Sequence, residues 1–146
     1  MSASLTTLSS FRTVESVPVE ISPSELIDKI TILEIKMECI TAIEKRNNIR
    51  YELDILRHCR KESVPDSLPL QRLTVDLKAV NRRLWAIEDE IRDLERNQIF
   101  DDRFVTLARS VYKNNDKRAA LKARINILLG ATMVEEKSYA DYENND

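Results

Sequence analysis

LQRLTVDLKAVNRRLWAIEDEIRDLERN, residues 70–97, places Leu70, Leu73, Leu77, Val80, Leu84, Ile87, Ile91 and Leu94 at alternating spacings of three and four. That spacing keeps the apolar side chains on one side of an α-helix, and over this length it predicts one long amphipathic helix with a coiled-coil-like seam. The seam is an architectural signal and specifies no reaction. Downstream, Phe100 with Asp101 or Asp102 restarts the chain, and a second long helix is expected over 102–129, where Gly130 supplies the C-terminal cap. Each spans on the order of 40 Å. Their short connection requires antiparallel packing.

Upstream, Ser22-Pro23-Ser24-Glu25 combines a capping serine, a proline at the first helical position and a glutamate three residues after the cap. This starts a helix expected over 23–45, whose buried stripe is Leu26, Ile30, Leu33, Met37 and Ile40. A shorter helix is expected near 47–62, using Ile49, Leu53 and Leu56, so the first two helices form a hairpin. Ser63 to Pro69, with two prolines, connects the two pairs. The expected fold is an all-α antiparallel helical bundle over 22–130. A mobile N-terminal segment precedes it at 1–21, above all Met1 to Glu15, and an acidic tail that should fray follows at 131–146.

With 146 residues, 42% hydrophobic and 33% charged, the chain is long enough for one helical domain with a core. A net charge of −2 and a pI near 5.6 give no general drive toward nucleic acid or an anionic membrane, and no nucleic-acid partner is expected. One glycine, Gly130, is too few for a glycine-rich phosphate loop. Cys39 and Cys59 form no C-x-x-C pair and are expected as reduced, packing thiols; no metal site and no cofactor are expected. No basic stretch leads into an apolar run near the N-terminus, and nowhere do 18 consecutive apolar residues occur. A cytoplasmic chain without membrane insertion is expected.

The polar residues beside the seam are the informative ones. On the third helix Asn81, Trp85, Glu88 and Arg92 share one flank; on the fourth, Asn114 and Arg118 break the stripe of Phe104, Leu107, Val111, Leu121, Ile125 and Leu128. Trp85 is too large to be left in water, so its flank should be covered. In an antiparallel hairpin closing near Gln98–Asp101, residues whose numbers sum to about 200 lie at one level. Asn81 then meets Arg118, Glu88 meets Tyr112, Trp85 meets Asn115, and Arg92 meets Arg109. Glu34 of the first helix joins them.

Two readings follow for this layer. It fixes helix register, as buried polar residues do elsewhere at some cost in stability. Alternatively it is an anion pocket, with Arg92, Arg109, Arg118 and Lys122 holding carboxylate or phosphate oxygens between Trp85 and Tyr112. Di-iron bundles need glutamate and histidine three apart, and His58 has no such partner. Helical pyrophosphohydrolases need E-x-x-E beside E-x-x-D; Glu25/Asp28 and Glu90/Asp93 supply only the second. A site resembling that of helical chorismate mutases, which clamps a dianion, stays open as a minor enzyme alternative. Nucleophilic catalysis would rest on one histidine without a strand-turn context, and is rejected.

SPSELIDKITILEIK (22–36), LWAIEDEIRDLE (84–95) and LARSVYKNNDKRAALKARIN (107–126) resemble a family of small, uncharacterised bacterial and phage-encoded helical proteins. The likeness covers roughly Val17 to Tyr139 and takes in the VEEKSYADY run; Ser24 stands where that family more often has glycine. The resemblance implies no established activity. It implies a genomic setting near surface-polysaccharide synthesis and sugar transfer. The matching stretches contain Glu34, Trp85, Glu88, Arg92, Arg109, Tyr112, Asp116, Arg118, Lys122 and Asn126, which overlap the polar layer. The expected function is a non-enzymatic interaction or adaptor protein, working as a homo-oligomer, a dimer first of all, with a protein partner. A small helical anion-binding protein or enzyme is the alternative.

Overall fold

The computed structural model describes residues 12–143. Residues 1–11 and 144–146 lie outside the described residues, and with them most of the stretch expected to be mobile and the last residues of the acidic tail. Four helices follow in order: α1 (Pro23–Cys39), α2 (Ile43–Ser63), α3 (Leu68–Arg96) and α4 (Asp102–Leu128), and no strand occurs among the described residues. The chain is an all-α helical bundle.

The helix starts are set by short polar side chains. Ser22 Oγ accepts from Glu25 N, Ser67 Oγ from Leu70 N, and Asp101 Oδ1 from Phe104 N, each satisfying an N–H that a helix start leaves open. Gly130 (φ 66°) ends α4, with Ala131 N–H donating to Asn126 O at 2.9 Å. Helix 1 is shorter than expected: it stops at Cys39, not near residue 45. The extended backbone of Ile40 and the Arg46 guanidinium, which donates to the carbonyls of Met37 and Ile40, close it there.

α2 returns along α1 and buries Ile49 and Leu53 against Leu26, Ile30 and Leu33. α4 returns along α3, with Ile125 packed among Leu70, Leu73 and Leu77, and Arg103 paired with Glu90 at 3.0 Å. Both are antiparallel hairpins. The first hairpin docks on the second through α1, which advances along α3: Ile27 packs with Leu70, Leu73 and Leu77, Asp28 and Thr31 reach Asn81, and Ile35 lines a cavity with Leu84 and Trp85.

α1 covers only part of the α3–α4 hairpin. Its proximal half, with Leu70, Leu73, Leu77, Val80 and Ile125, is buried beneath α1. The distal half extends past the end of α1, and there Ile87, Ile91, Leu94, Phe104 and Leu107 are only half-buried. Cys39 and Cys59 are both exposed and free, which corrects the expectation that they pack. Cys39 ends α1, and Cys59 stands on the side of α2 away from Leu53.

Leu77→Ala should cost about 2–5 kcal/mol because the side chain is fully buried. Ile91→Ala should cost about 1 kcal/mol in a single chain. Urea melts of dilute protein separate the two, and equal losses would contradict the division of the hairpin.

Candidate functional site

α1 is buried on two faces. Leu26, Ile30 and Leu33 turn toward α2. Ser24, Asp28, Thr31 and Ile35, spaced by four, three and four, form a second face and are at most 1% exposed. A carboxylate removed from water costs several kcal/mol unless it is paired. Asp28 is paired from two helices. Its Oδ1 accepts from Asn81 Nδ2 at 2.8 Å and Arg118 Nε at 3.0 Å, and its Oδ2 accepts from Arg118 Nη2. Asn81 Nδ2 also donates to Thr31 Oγ1 at 2.9 Å, and the Thr31 hydroxyl donates to the Asp28 carbonyl at 2.8 Å. The Asp28 carboxylate pushes the Arg118 pKa further up.

A second tie lies one turn away. Lys122 Nζ donates to Glu25 at 2.7 Å and to Glu135 of the tail at 3.1 Å, while Ser24 N–H donates to Asn126 Oδ1 at 3.0 Å. Burial opposes the Lys122 charge, but the two carboxylates outweigh it and raise the pKa. The start of α1 is thereby held to the last turns of α4.

The remaining residues of the expected layer lie elsewhere. Glu34 bridges α2 and α3 through Arg57 (3.0 Å) and Lys78 (3.8 Å). Trp85, Glu88, Arg92 and Arg118 line a cavity of about 500 Å³ with Ile32, Ile35, Asn81, Leu84 and Asp89. Trp85 is half-buried there, covered by α1 as its size requires. Arg109 and Asp116 border a different hollow, with Lys113, Lys117 and Tyr142. The Tyr112 ring meets the Tyr142 ring edge-on, 5.1 Å between centroids.

Arg118 does share a level with Asn81, through Asp28. Arg92 and Arg109 line separate cavities, so the four cations do not converge on one point. Arg118 is held by Asp28, Lys122 by Glu25 and Glu135, and Arg92 by Glu88 of its own helix at 3.3 Å. Sequence reasoning missed Ser24, Glu25, Asp28, Thr31, Glu135 and Tyr142. A signal was present: positions 24, 28, 31 and 35 follow the same three-and-four spacing as the apolar stripe, but on a polar face.

Residues 131–143 form no helix, and two contacts tie them to α4. Glu135 reaches Lys122, which lowers the Glu135 pKa, and hydrogen bonding to the Asp116 carboxylate pushes the Tyr142 phenol up.

These residues define a helical scaffold whose buried charges lock one hairpin onto another. Residues 17–143 match the model of a family of unknown function, DUF6165, and the chain belongs to it. No curated protein and no solved structure matches it significantly.

Arg118→Met strands a buried carboxylate and should cost about 3–5 kcal/mol. Asp28→Leu with Arg118→Met should recover part of that loss in chemical denaturation, whereas a double variant as unstable as the single one would contradict the register role. The tail has its own pH window. Glu135, facing Lys122, Lys137 and Arg118, has a lowered pKa, so its contribution is present above the ordinary value of 4.5 and is lost as pH falls through the lowered one. Tyr142, facing Asp116, Glu143 and Tyr112, has a raised pKa, so its contribution is lost as pH rises past the raised value. NMR relaxation of residues 131–143 should show mobility growing at both ends of the pH scale; pH-independent mobility would refute both contacts.

Proposed function

We propose that the chain is a non-enzymatic interaction module, acting in the cytoplasm as a homodimer and as an adaptor for a protein partner. The observation that carries this reading is the distal α3–α4 hairpin. It projects beyond α1 with a half-buried seam of Ile87, Ile91, Leu94, Phe104 and Leu107, while Phe100 and Val105 are about half exposed. Two helices alone cover only one side of each other's apolar stripe; a second hairpin supplies the other side, as in four-helix bundles. The ionisable groups that the fold brings together support the same reading, because Asp28, Arg118, Glu25 and Lys122 are engaged in holding α1. If the setting implied by the resemblance applies, the partner is to be sought among bacterial proteins of surface-polysaccharide synthesis.

A second reading, ligand binding, is favoured by the Trp85 cavity, whose volume lies in the range of small-molecule sites and whose rim carries Arg92 and Arg118 beside an indole. It would take a phosphorylated or carboxylated small molecule, either to bind it or as an enzyme.

Sedimentation over a range reaching tens of micromolar, a test suited to roughly moderate affinity, should give a dimer that Ile91→Glu or Phe104→Glu converts to monomer. A wild-type monomer throughout would overturn the dimer. Thermal-shift measurements with phosphosugars, sugar nucleotides and dicarboxylates address the second reading: stabilisation lost in Trp85→Ala and Arg92→Ala would favour the cavity.

A further inference from the structure

Beyond Leu128 the chain reverses and retraces α4. Glu135 lies against Lys122 and Tyr142 against Tyr112. The intervening stretch of α4 rises about 15 Å, and the eight tail residues from 135 to 142 cover it with length to spare. The floor of this track is built from Ala108, Val111, Asn115, Ala119 and Ala123, mostly small side chains that let a backbone approach the helix. Alongside, Arg109, Lys113 and Lys117 recur at every fourth position and so form one ridge. Asp141, Tyr142 and Glu143 border the same hollow as these three cations. Among the described residues, none of the three forms an ion pair.

The track is complementary in charge to an acidic strand, and the strand now on it is lightly held. Residues 132–143 are all exposed. Its side-chain anchors on α4 are Lys122 at one end and the Tyr112–Asp116 pair at the other. Lys122 is largely covered, but Glu135 and Tyr142 are exposed, and one half-exposed ion pair and one ring contact contribute little against the entropy of fixing a dozen residues. Three cations outside any direct ion pair, around a hollow shared with Asp116 and with Asp141 and Glu143 of a displaceable acidic segment, are the arrangement expected where an outside segment competes with the chain's own.

We propose that this track on α4 is a docking site for an extended, acidic, tyrosine-bearing segment of a partner protein, which residues 131–143 occupy in cis as a displaceable competitor. The partner supplies a carboxylate to Lys122, an aromatic ring to Tyr112 and further carboxylates to the ridge of Arg109, Lys113 and Lys117. The track uses the stripe beside the seam, so the dimer reading and this one stand or fall separately.

The test uses the full-length chain and a fluorescein-labelled peptide of sequence ATMVEEKSYADYENND, which matches residues 131–146. Glu135→Gln with Tyr142→Ser removes both anchors of the resident segment without touching α4. Fluorescence anisotropy should show this variant binding the peptide at least tenfold more tightly than wild type, with affinity falling as salt is raised. Lys113→Glu with Lys117→Glu, added to the same background, should abolish the gain. In the otherwise wild-type chain that charge reversal should raise the fast backbone mobility of residues 131–143 in NMR relaxation while the circular dichroism stays unchanged. Equal peptide binding by wild type and the anchor variant would overturn the proposal. So would binding indifferent to the charge reversal, or conversion of the anchor variant to a dimer in sedimentation, which would mark the track as a site for exchanged tails of two copies.

Discussion

A carboxylate with no access to water sets the terms for this fold. Asp28 sits on the one helix that touches all three others, and its charge is tolerable only while Arg118 and Asn81 reach it from two separate helices. Slide α1 by one turn, and Asp28 faces aliphatic side chains with its partners left behind. Apolar contacts alone would not impose so steep a penalty, since a leucine shifted by a turn finds another leucine. The ion pair therefore contributes less to net stability than to uniqueness: it selects one register of the two hairpins out of several that the apolar seams permit. Glu25, Lys122, Ser24 and Asn126 repeat the constraint nearer the start of α1.

Periodicity and caps made the helices legible. The seam from Leu70 to Leu94, the serine at 22 and the glycine at 130 are local features whose physical meaning does not depend on the rest of the chain. The end of α1 was harder to read, because Ile40 is apolar and continues the stripe even though its backbone is extended; the Arg46 guanidinium that closes the helix comes from the next one. Docking of one hairpin on the other was not legible at all. It depends on which residue of one helix meets which of another, and spacing within a helix carries no such information.

For the candidate site, the arithmetic of an antiparallel hairpin placed Asn81 level with Arg118, and Lys122 and Asn126 do belong to the polar contacts with α1. The arithmetic failed where it treated a level as a place. Arg92 and Arg109 stand on different sides of the α3–α4 pair and border different cavities. Asp28 escaped notice because a search for apolar stripes passes over a helix face built from serine, aspartate and threonine, even when that face is the more deeply buried of the two. A helix buried on both sides has no polar side to spare, and its charged residues are then the first to examine.

α2 adds a different consequence. Among the described helices it packs against α1 alone, and apart from Ile49 and Leu53 its residues keep contact with solvent. Nothing in α3 or α4 needs α2 in order to stay paired, whereas α1 is pinned independently by its buried charges. Among the helices, α2 is accordingly the one expected to detach first as a unit while the core of α1, α3 and α4 remains closed. Once proteases act on the bundle itself and not on its non-helical tail, they would begin there, at a helix whose loss exposes Leu26, Ile30 and Leu33 without yet breaking the ionic lock.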